Sequence, residues 1–226
     1  MSDKNQLKIG NAGEFASAFK VSRETLDRLN LYESALRLWQ RRINLVASAT
    51  LDDVWHRHFA DSAQLASWVP PGARSIVDLG SGAGFPGLVL AILFSGAARD
   101  GQGWPRVTLV ESDTRKAAFL REVARQTGTA VEILSTRIEN PETQVKLGKV
   151  DVVSARALAP IERLLGLAAP LFGEQTVGLF LKGKSVQAEI EAARALWAFD
   201  VTLVSSVTAE DAKIAVIRQV RSSAKA

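Results

Sequence analysis

The sequence predicts an α/β fold, a doubly wound and largely parallel seven-stranded sheet preceded by a helical N-terminal extension. Three observations carry that expectation. Apolar positions recur at helical spacing before Pro70-Pro71-Gly72, short β-rich runs alternate with helical stretches after it, and a glycine-rich turn follows the first of those runs. With 226 residues and 47% hydrophobic content the chain can bury one sizeable core and a small appendage, so the expected division is an extension over 1–72 and a main domain over 73–226.

In chain order, residues 1 to 20 show little beyond a short apolar stretch around Phe15 and Phe19. From Ser22 the positions Leu26, Leu29, Leu36, Trp39 and Ile43 predict an amphipathic helix whose other face carries Asp27, Glu33, Arg37 and Arg41. Thr50 and Asp53 form a cap signal for a second helix through Val54, Phe59, Ala63 and Leu65, which Pro70-Pro71-Gly72 ends. Strands are expected near Ser75 to Leu79, Val107 to Glu111, Ala130 to Leu134, Val150 to Ser154, Val177 to Leu181, Val201 to Val204 and Ile214 to Val220. The clearest intervening helices are Thr114 to Gln126 and Val186 to Ala198, and the last two strands, with no helix between them, read as an antiparallel hairpin. Gly96 to Gly103 reads as a loop.

Composition excludes several classes. The longest apolar run, Leu88 to Phe94, is far short of the roughly 18 residues of a membrane span. The first residues lack a secretion signal, so a soluble cytoplasmic protein is expected. Without cysteine there is no disulfide, thiolate metal site or cysteine nucleophile, and no metal is expected. The pI of 9.6 reflects a net charge of only +4, and Lys213, Arg218, Arg221 and Lys225 supply it from a tail free of acids. Global charge is therefore weak evidence for a polyanionic partner.

The chemistry lies in an apolar strand ending at Asp78 and followed by Gly80, Gly82 and Gly84. Residues without Cβ at a strand-to-helix turn let the backbone approach a ligand closely. Gly82-Ala83-Gly84-Phe85-Pro86-Gly87 also satisfies the dinucleotide fingerprint, but that register leaves Asp78-Leu79-Gly80-Ser81 unexplained. An acid at the strand end suits the positive sulfonium and free amino-acid moiety of S-adenosylmethionine, whereas it would repel a diphosphate. A second acid, Glu111, ends the next strand where it can accept from both ribose hydroxyls. A non-catalytic dinucleotide-binding module and a glycine-rich turn with buried acids are the competing readings.

What is missing narrows the acceptor. Pyrimidine C5 methylation normally uses a thiol, and exocyclic amine methylation an Asn/Asp-Pro-Pro-aromatic loop after the fourth strand. Here that strand runs into Ser154-Ala155-Arg156-Ala157-Leu158-Ala159-Pro160. A lone-pair nucleophile such as guanine N7 has no proton to remove, so no obligatory general base is expected and no catalytic residue is assigned. The acceptor then needs only to be held about 3 Å from the methyl group, aligned and kept dry. A methyltransferase of small metabolites is the alternative.

Between Arg41 and Gly183 the chain resembles the bacterial small-subunit ribosomal RNA guanine-N7 methyltransferases, the glucose-inhibited division protein B family. The likeness runs through Asn44-Leu45-Val46, Arg57-His58-Phe59-Ala60-Asp61-Ser62, Asp78 to Gly87, Ser154-Ala155-Arg156-Ala157 and Leu181-Lys182-Gly183. The glycine motif is common to many methyltransferases, and the upstream Arg-His-x-x-Asp-Ser block, Pro86-Gly87 and the Arg156 loop make the combination specific. The resemblance implies a Rossmann-like class I methyltransferase that uses S-adenosyl-L-methionine to methylate N7 of guanine 527 in the 530 loop of 16S ribosomal RNA. Its cofactor contacts carry over to Gly80, Phe85, Ile138, Glu139 and Arg156. The partner implied is 16S ribosomal RNA or an assembling small ribosomal subunit, with the protein expected to be a monomer away from membranes.

Three further residues are candidate substrate contacts. Arg57 can meet a phosphate, and His58, three positions before Asp61 and able to meet it, can orient that acid or the acceptor base; equally, the block can dock its helix on the sheet edge. Lys182 ends the fifth strand, at the edge where open α/β sheets bind ligands, and reads either as an RNA contact or as a solvated lysine beside the turn at Gly183. Arg37, Arg41 and Arg42 beside Trp39, with Trp55 and His56 further on, can form a stacking and phosphate-binding face, although Trp39 lies on the apolar stripe and so reads first as a core residue.

Overall fold

The computed structural model describes residues 7–95 and 103–223; the loop expected over Gly96 to Gly103 falls, apart from Gly103 itself, outside the described residues. Two helices come first among the described residues. Asn11 caps α1 (Ala12–Phe19) by accepting from the Glu14 amide, and Ser22 caps α2 (Arg23–Gln40) by accepting from Thr25. The buried stripe of α2 is Leu29, Tyr32, Ala35 and Leu36, and complete burial of a leucine side chain contributes about 1.5–3 kcal/mol.

The second helix departs from expectation. A 3-10 turn at Ser48–Thr50 is followed by a π-helical segment at Trp55–Ala60, one α turn, α3 (Asp61–Ala63), and a 3-10 turn at Gln64–Trp68. Thr50 does not cap it: the hydroxyl donates to the Ala47 carbonyl at 2.7 Å and lies 2.8 Å from His58 Nε2. Because the Asp61 amide reaches back five residues to the His56 carbonyl, side chains three apart no longer stack on one face.

Among the described residues the sheet has seven strands in the order β3-β2-β1-β4-β5-β7-β6: β1 (Ser75–Leu79), β2 (Arg106–Val110), β3 (Glu132–Leu134), β4 (Val150–Arg156), β5 (Phe172–Lys182), β6 (Trp197–Ser205) and β7 (Lys213–Ser222). The first five run parallel, whereas β7 is antiparallel to both neighbours and inserts between β5 and β6. Between the strands lie α4 (Gly87–Ser95), α5 (Thr114–Thr127), α6 (Pro141–Leu147), α7 (Ile161–Ala168) and α8 (Val186–Ala193). Three elements differ in length from expectation: β5 starts at Phe172 because the Thr176 hydroxyl ties Gly173 and Val150 together across a register shift, and α8 stops at Ala193 and β6 starts early at Trp197, where Trp197 and Ala198 pair with Ser222 and Arg221.

Alternation along the strands feeds a core on each face. Ile76, Leu109, Val152 and Leu179 point to a cluster shared with α4, α5 and the N-terminal helices, and Val77, Val153, Phe180 and Ala215 to one shared with α7 and α8. The sequence segments 1–72 and 73–226 thus contribute to the same hydrophobic cluster. Strand order reverses between β1 and β4, whose carboxyl ends lie side by side with Asp78 opposite Ser154.

Candidate active site at the carboxyl edge of the sheet

A cavity of about 330 Å³ opens beyond these strand ends, lined among others by Gly80, Gly82, Glu111, Ile138, Glu139 and Leu158. Gly80 has φ +64°, and a Cβ there would come within 2.6 Å of the Leu158 side chain, so only glycine lets Leu158 close over the turn. Gly82 donates its amide to Glu111 Oε2 at 2.8 Å, and Asp113 donates to the other oxygen at 2.8 Å. Both oxygens keep a further lone pair, so the carboxylate that fixes the turn can still accept from a ligand. Gly84, with φ +94°, packs against the Tyr32 hydroxyl, which donates to the Ala83 carbonyl and so clamps the turn from the N-terminal extension.

Asp78 lies beneath this turn with no exposed surface. Its Oδ1 accepts from Ser154 Oγ at 2.7 Å and, among the described residues, its Oδ2 has no hydrogen-bond partner, with Gly87 packed against the carboxyl group. Burial pushes the carboxyl up to about 6, although the Ser154 hydrogen bond and the charge of Arg156 draw it down. Phe85 is likewise buried. Its ring stacks on Tyr32 at 5.3 Å and on His58 at 5.0 Å, and the Arg156 guanidinium sits 4.9 Å from its centroid. Of the residues expected at the cofactor, Gly80, Gly82, Glu111, Ile138 and Glu139 face the cavity, while Asp78, Gly84, Phe85 and Arg156 lie behind or beside it.

Arg156 ends β4 and donates to the Arg57 carbonyl at 3.0 Å, with Asp61 Oδ2 at 3.6 Å. Asp61 Oδ1 accepts from Gln64 at 2.9 Å and Thr208 at 3.0 Å. His58 does not use the spacing that would let it meet Asp61: the π-helical turn directs it to Thr50, and among the described residues its Nδ1 has no hydrogen-bond partner. Burial, reinforced by Arg156 and Arg57, lowers the imidazole to about 3 and keeps it neutral at physiological pH. The side chain of Arg57 is exposed.

A second cavity, about 270 Å³, adjoins the first at Ala157, which lines both, and is walled by Asp61, Arg156, Leu181, Lys182 and Glu189. Lys182 is not a solvated lysine. Its Nζ lies 2.5 Å from Glu189 and donates to the Ala159 carbonyl at 2.9 Å, while Glu189 accepts from the Ile161 amide at 3.1 Å. This ion pair pins the loop 157–160, which enters through Ala157 at φ +52°, the residue that lines both cavities. Sequence reasoning missed Tyr32, Ser154 and Glu189. Ser154 was visible as the residue at the end of the strand beside Asp78, whereas Glu189 carries no motif at all.

A glycine turn under the carboxyl ends of β1 and β4, with a carboxylate at the end of β2 and a sheet whose seventh strand is antiparallel, defines a class I S-adenosylmethionine-dependent methyltransferase. Solved structures share that fold at low sequence identity. An O-methyltransferase from Bacillus cereus in complex with SAH superposes with TM-score 0.55 at 14% identity over 84% of this chain and 91% of that one, and a ribosomal protein L11 methylase from Lactobacillus delbrueckii subsp. bulgaricus with 0.53 at 16% over 70% and 76%. The chain belongs to the rRNA small subunit methyltransferase G (GidB) family, whose profile matches residues 25–219. Relatives named ribosomal RNA small subunit methyltransferase G include those of Parvibaculum lavamentivorans, 49% identical over 93% of this chain and 90% of its own length, and Rhodospirillum centenum, 54% identical over 84% and 82%. Among the described residues no group of acids and histidines could hold a metal ion, and no helix is long and apolar enough to cross a membrane.

Proposed function

We propose that this enzyme transfers the methyl group of S-adenosylmethionine to N7 of guanine 527 in the 530 loop of 16S ribosomal RNA, as a cytoplasmic monomer acting on the RNA or on an assembling small subunit. The observation that carries the reading is the pair of cavities joined at Ala157, one fitted to the cofactor and one with room for a single extruded base. The residues fit the cofactor: Glu111 would hold the ribose hydroxyls, Ile138 and Leu158 would flank the adenine, and the backbone at Gly80 and Gly82 would face the amino-acid moiety. When bound, S-adenosylmethionine supplies an electrophilic methyl group on a positively charged sulfur.

The protein's own part is positioning. Guanine N7 attacks with a lone pair and gives up no proton, so the groups around the second cavity need only hold the base, orient it and exclude water. Arg156, fixed by Phe85, Asp61 and the Arg57 carbonyl, presents a planar donor there, and Lys182 holds the loop 157–160 that meets both cavities at Ala157. Arg57 and His58 act from the other side, the first through its exposed cation and the second by packing under Phe85.

The test is chemical cleavage at 7-methylguanosine in 16S RNA from a strain lacking its own enzyme, with and without this chain supplied. Restored cleavage at guanine 527 is expected. An unmodified guanine 527 alongside S-adenosylmethionine turnover on a small molecule would overturn the proposal.

A further inference from the structure

We infer that a cleft outside the cofactor site, between the C-terminal end of α2 and the start of α5, is a docking site for an unpaired nucleotide of the substrate RNA. The cleft, about 330 Å³, is lined by Leu38, Trp39, Arg42, Ile43, Arg115 and Ala118, so its walls hold two cations and no carboxylate. Its floor is the apolar side of Trp39 and Ile43, with Trp39 braced edge-on against Phe119 at 5.7 Å. Leu38 is 58% exposed at the rim. Arg115 keeps one acidic neighbour, Asp113 at 3.3 Å, and among the described residues neither Arg41 nor Arg42 has an acidic partner.

An aromatic face with guanidinium groups at its edge and no acid among the lining residues is complementary to a nucleobase joined to its phosphate. The base can stack on the indole and the phosphate can meet Arg42 and Arg115. The setting points the same way. α5 follows β2 and therefore begins at the carboxyl edge of the sheet, and on its first turn Arg115 faces this cleft while the next residue, Lys116, lines the cofactor cavity. One RNA segment can thus engage both places, the target base entering the catalytic pocket while a flanking nucleotide is held on Trp39. The inference rests on the RNA acceptor proposed above.

The experiment measures methylation of small subunits from a strain lacking the modification, together with filter binding of protein-free 16S RNA, over a range of salt. For Arg42→Ala/Arg115→Ala the expected result is a KM for subunits raised about tenfold, kcat within twofold of wild type, unchanged S-adenosylmethionine affinity, and a salt slope of RNA affinity smaller by about one to two. Trp39→Leu keeps the floor apolar and removes the stacking face, so it should weaken RNA binding severalfold without changing that slope. Wild-type KM and salt slope in the double arginine variant would overturn the inference while leaving the RNA acceptor standing. Loss confined to whole subunits, with protein-free RNA bound as by wild type, would assign the cleft to a ribosomal protein and also overturn it. Failure of the wild type itself to methylate subunits would instead remove the acceptor reading and this inference with it.

Discussion

Asp78 places a carboxyl where water cannot reach it, and its protonation should be visible in stability. The unfolded group titrates near 3.8 and the folded one near 6, so the fold binds this proton more tightly than the unfolded chain does. The corresponding stability is complete below about pH 4 and is lost as pH rises through 6, by about 3 kcal/mol. Asp78→Asn removes that titration, so relative to wild type the variant should gain stability between pH 4.5 and pH 7.5; equal differences in urea unfolding at the two values would contradict it. At Gly80 the constraint is steric. Gly80→Val meets both the left-handed backbone and Leu158, and should lower S-adenosylmethionine affinity more than tenfold in calorimetry. These two positions were legible in the sequence because strand-end acids and glycine turns are local patterns. Phe85 was legible as a motif residue packing on either the cofactor or the core, but the choice between them was not, since its neighbours Tyr32, His58 and Arg156 come from three distant parts of the chain.

At the level of elements, the loop 157–160 owes its shape to the link between β5 and α8. Lys182 and Glu189 are both mostly buried, and removing either leaves the other desolvated and unpaired. Lys182→Ala and Glu189→Ala should each cost about 2 kcal/mol, with the double variant little worse than either single, which a double-mutant cycle by urea unfolding checks. Both should slow methylation, because the loop forms a wall of each cavity. Near-additive losses would mean that the two residues act separately. Periodicity revealed β1 in full and α5 to within a residue, but not the π-helical turn at Trp55–Ala60, whose apolar spacing resembles that of an ordinary helix. It also overran α8 into Trp197, since an alanine-rich stretch favours helix until strand pairing with β7 overrides it.

For the molecule as a whole, the N-terminal extension is bound into the core rather than appended to it. Tyr32 clamps the glycine turn, the Leu7 amide donates to the Val207 carbonyl at 3.0 Å, and His56 and Asp61 both bond to Thr208 in the β6–β7 connection. A fragment over 73–226 would expose the apolar sides of α4 and α5. It should lack a cooperative unfolding transition, whereas the full chain should give coincident far- and near-ultraviolet circular dichroism transitions. Sequence pattern suggested a boundary near residue 72 because the periodicity changes there, but periodicity carries no information on whether two segments share a core.

The insertion of β7 between β5 and β6 sets an order on biosynthesis. A ribosome makes β6 before β7, so β6 emerges with no partner strand available, and the outer edge of β5 remains an open row of amides and carbonyls until Lys213–Ser222 has left the exit tunnel. The glycine turn and its flanking parallel strands are all upstream and can assemble during that interval. A nascent chain stalled before Lys213 would thus carry a formed donor pocket beside a sticky edge, a species for chaperones to shield rather than a harmless fragment.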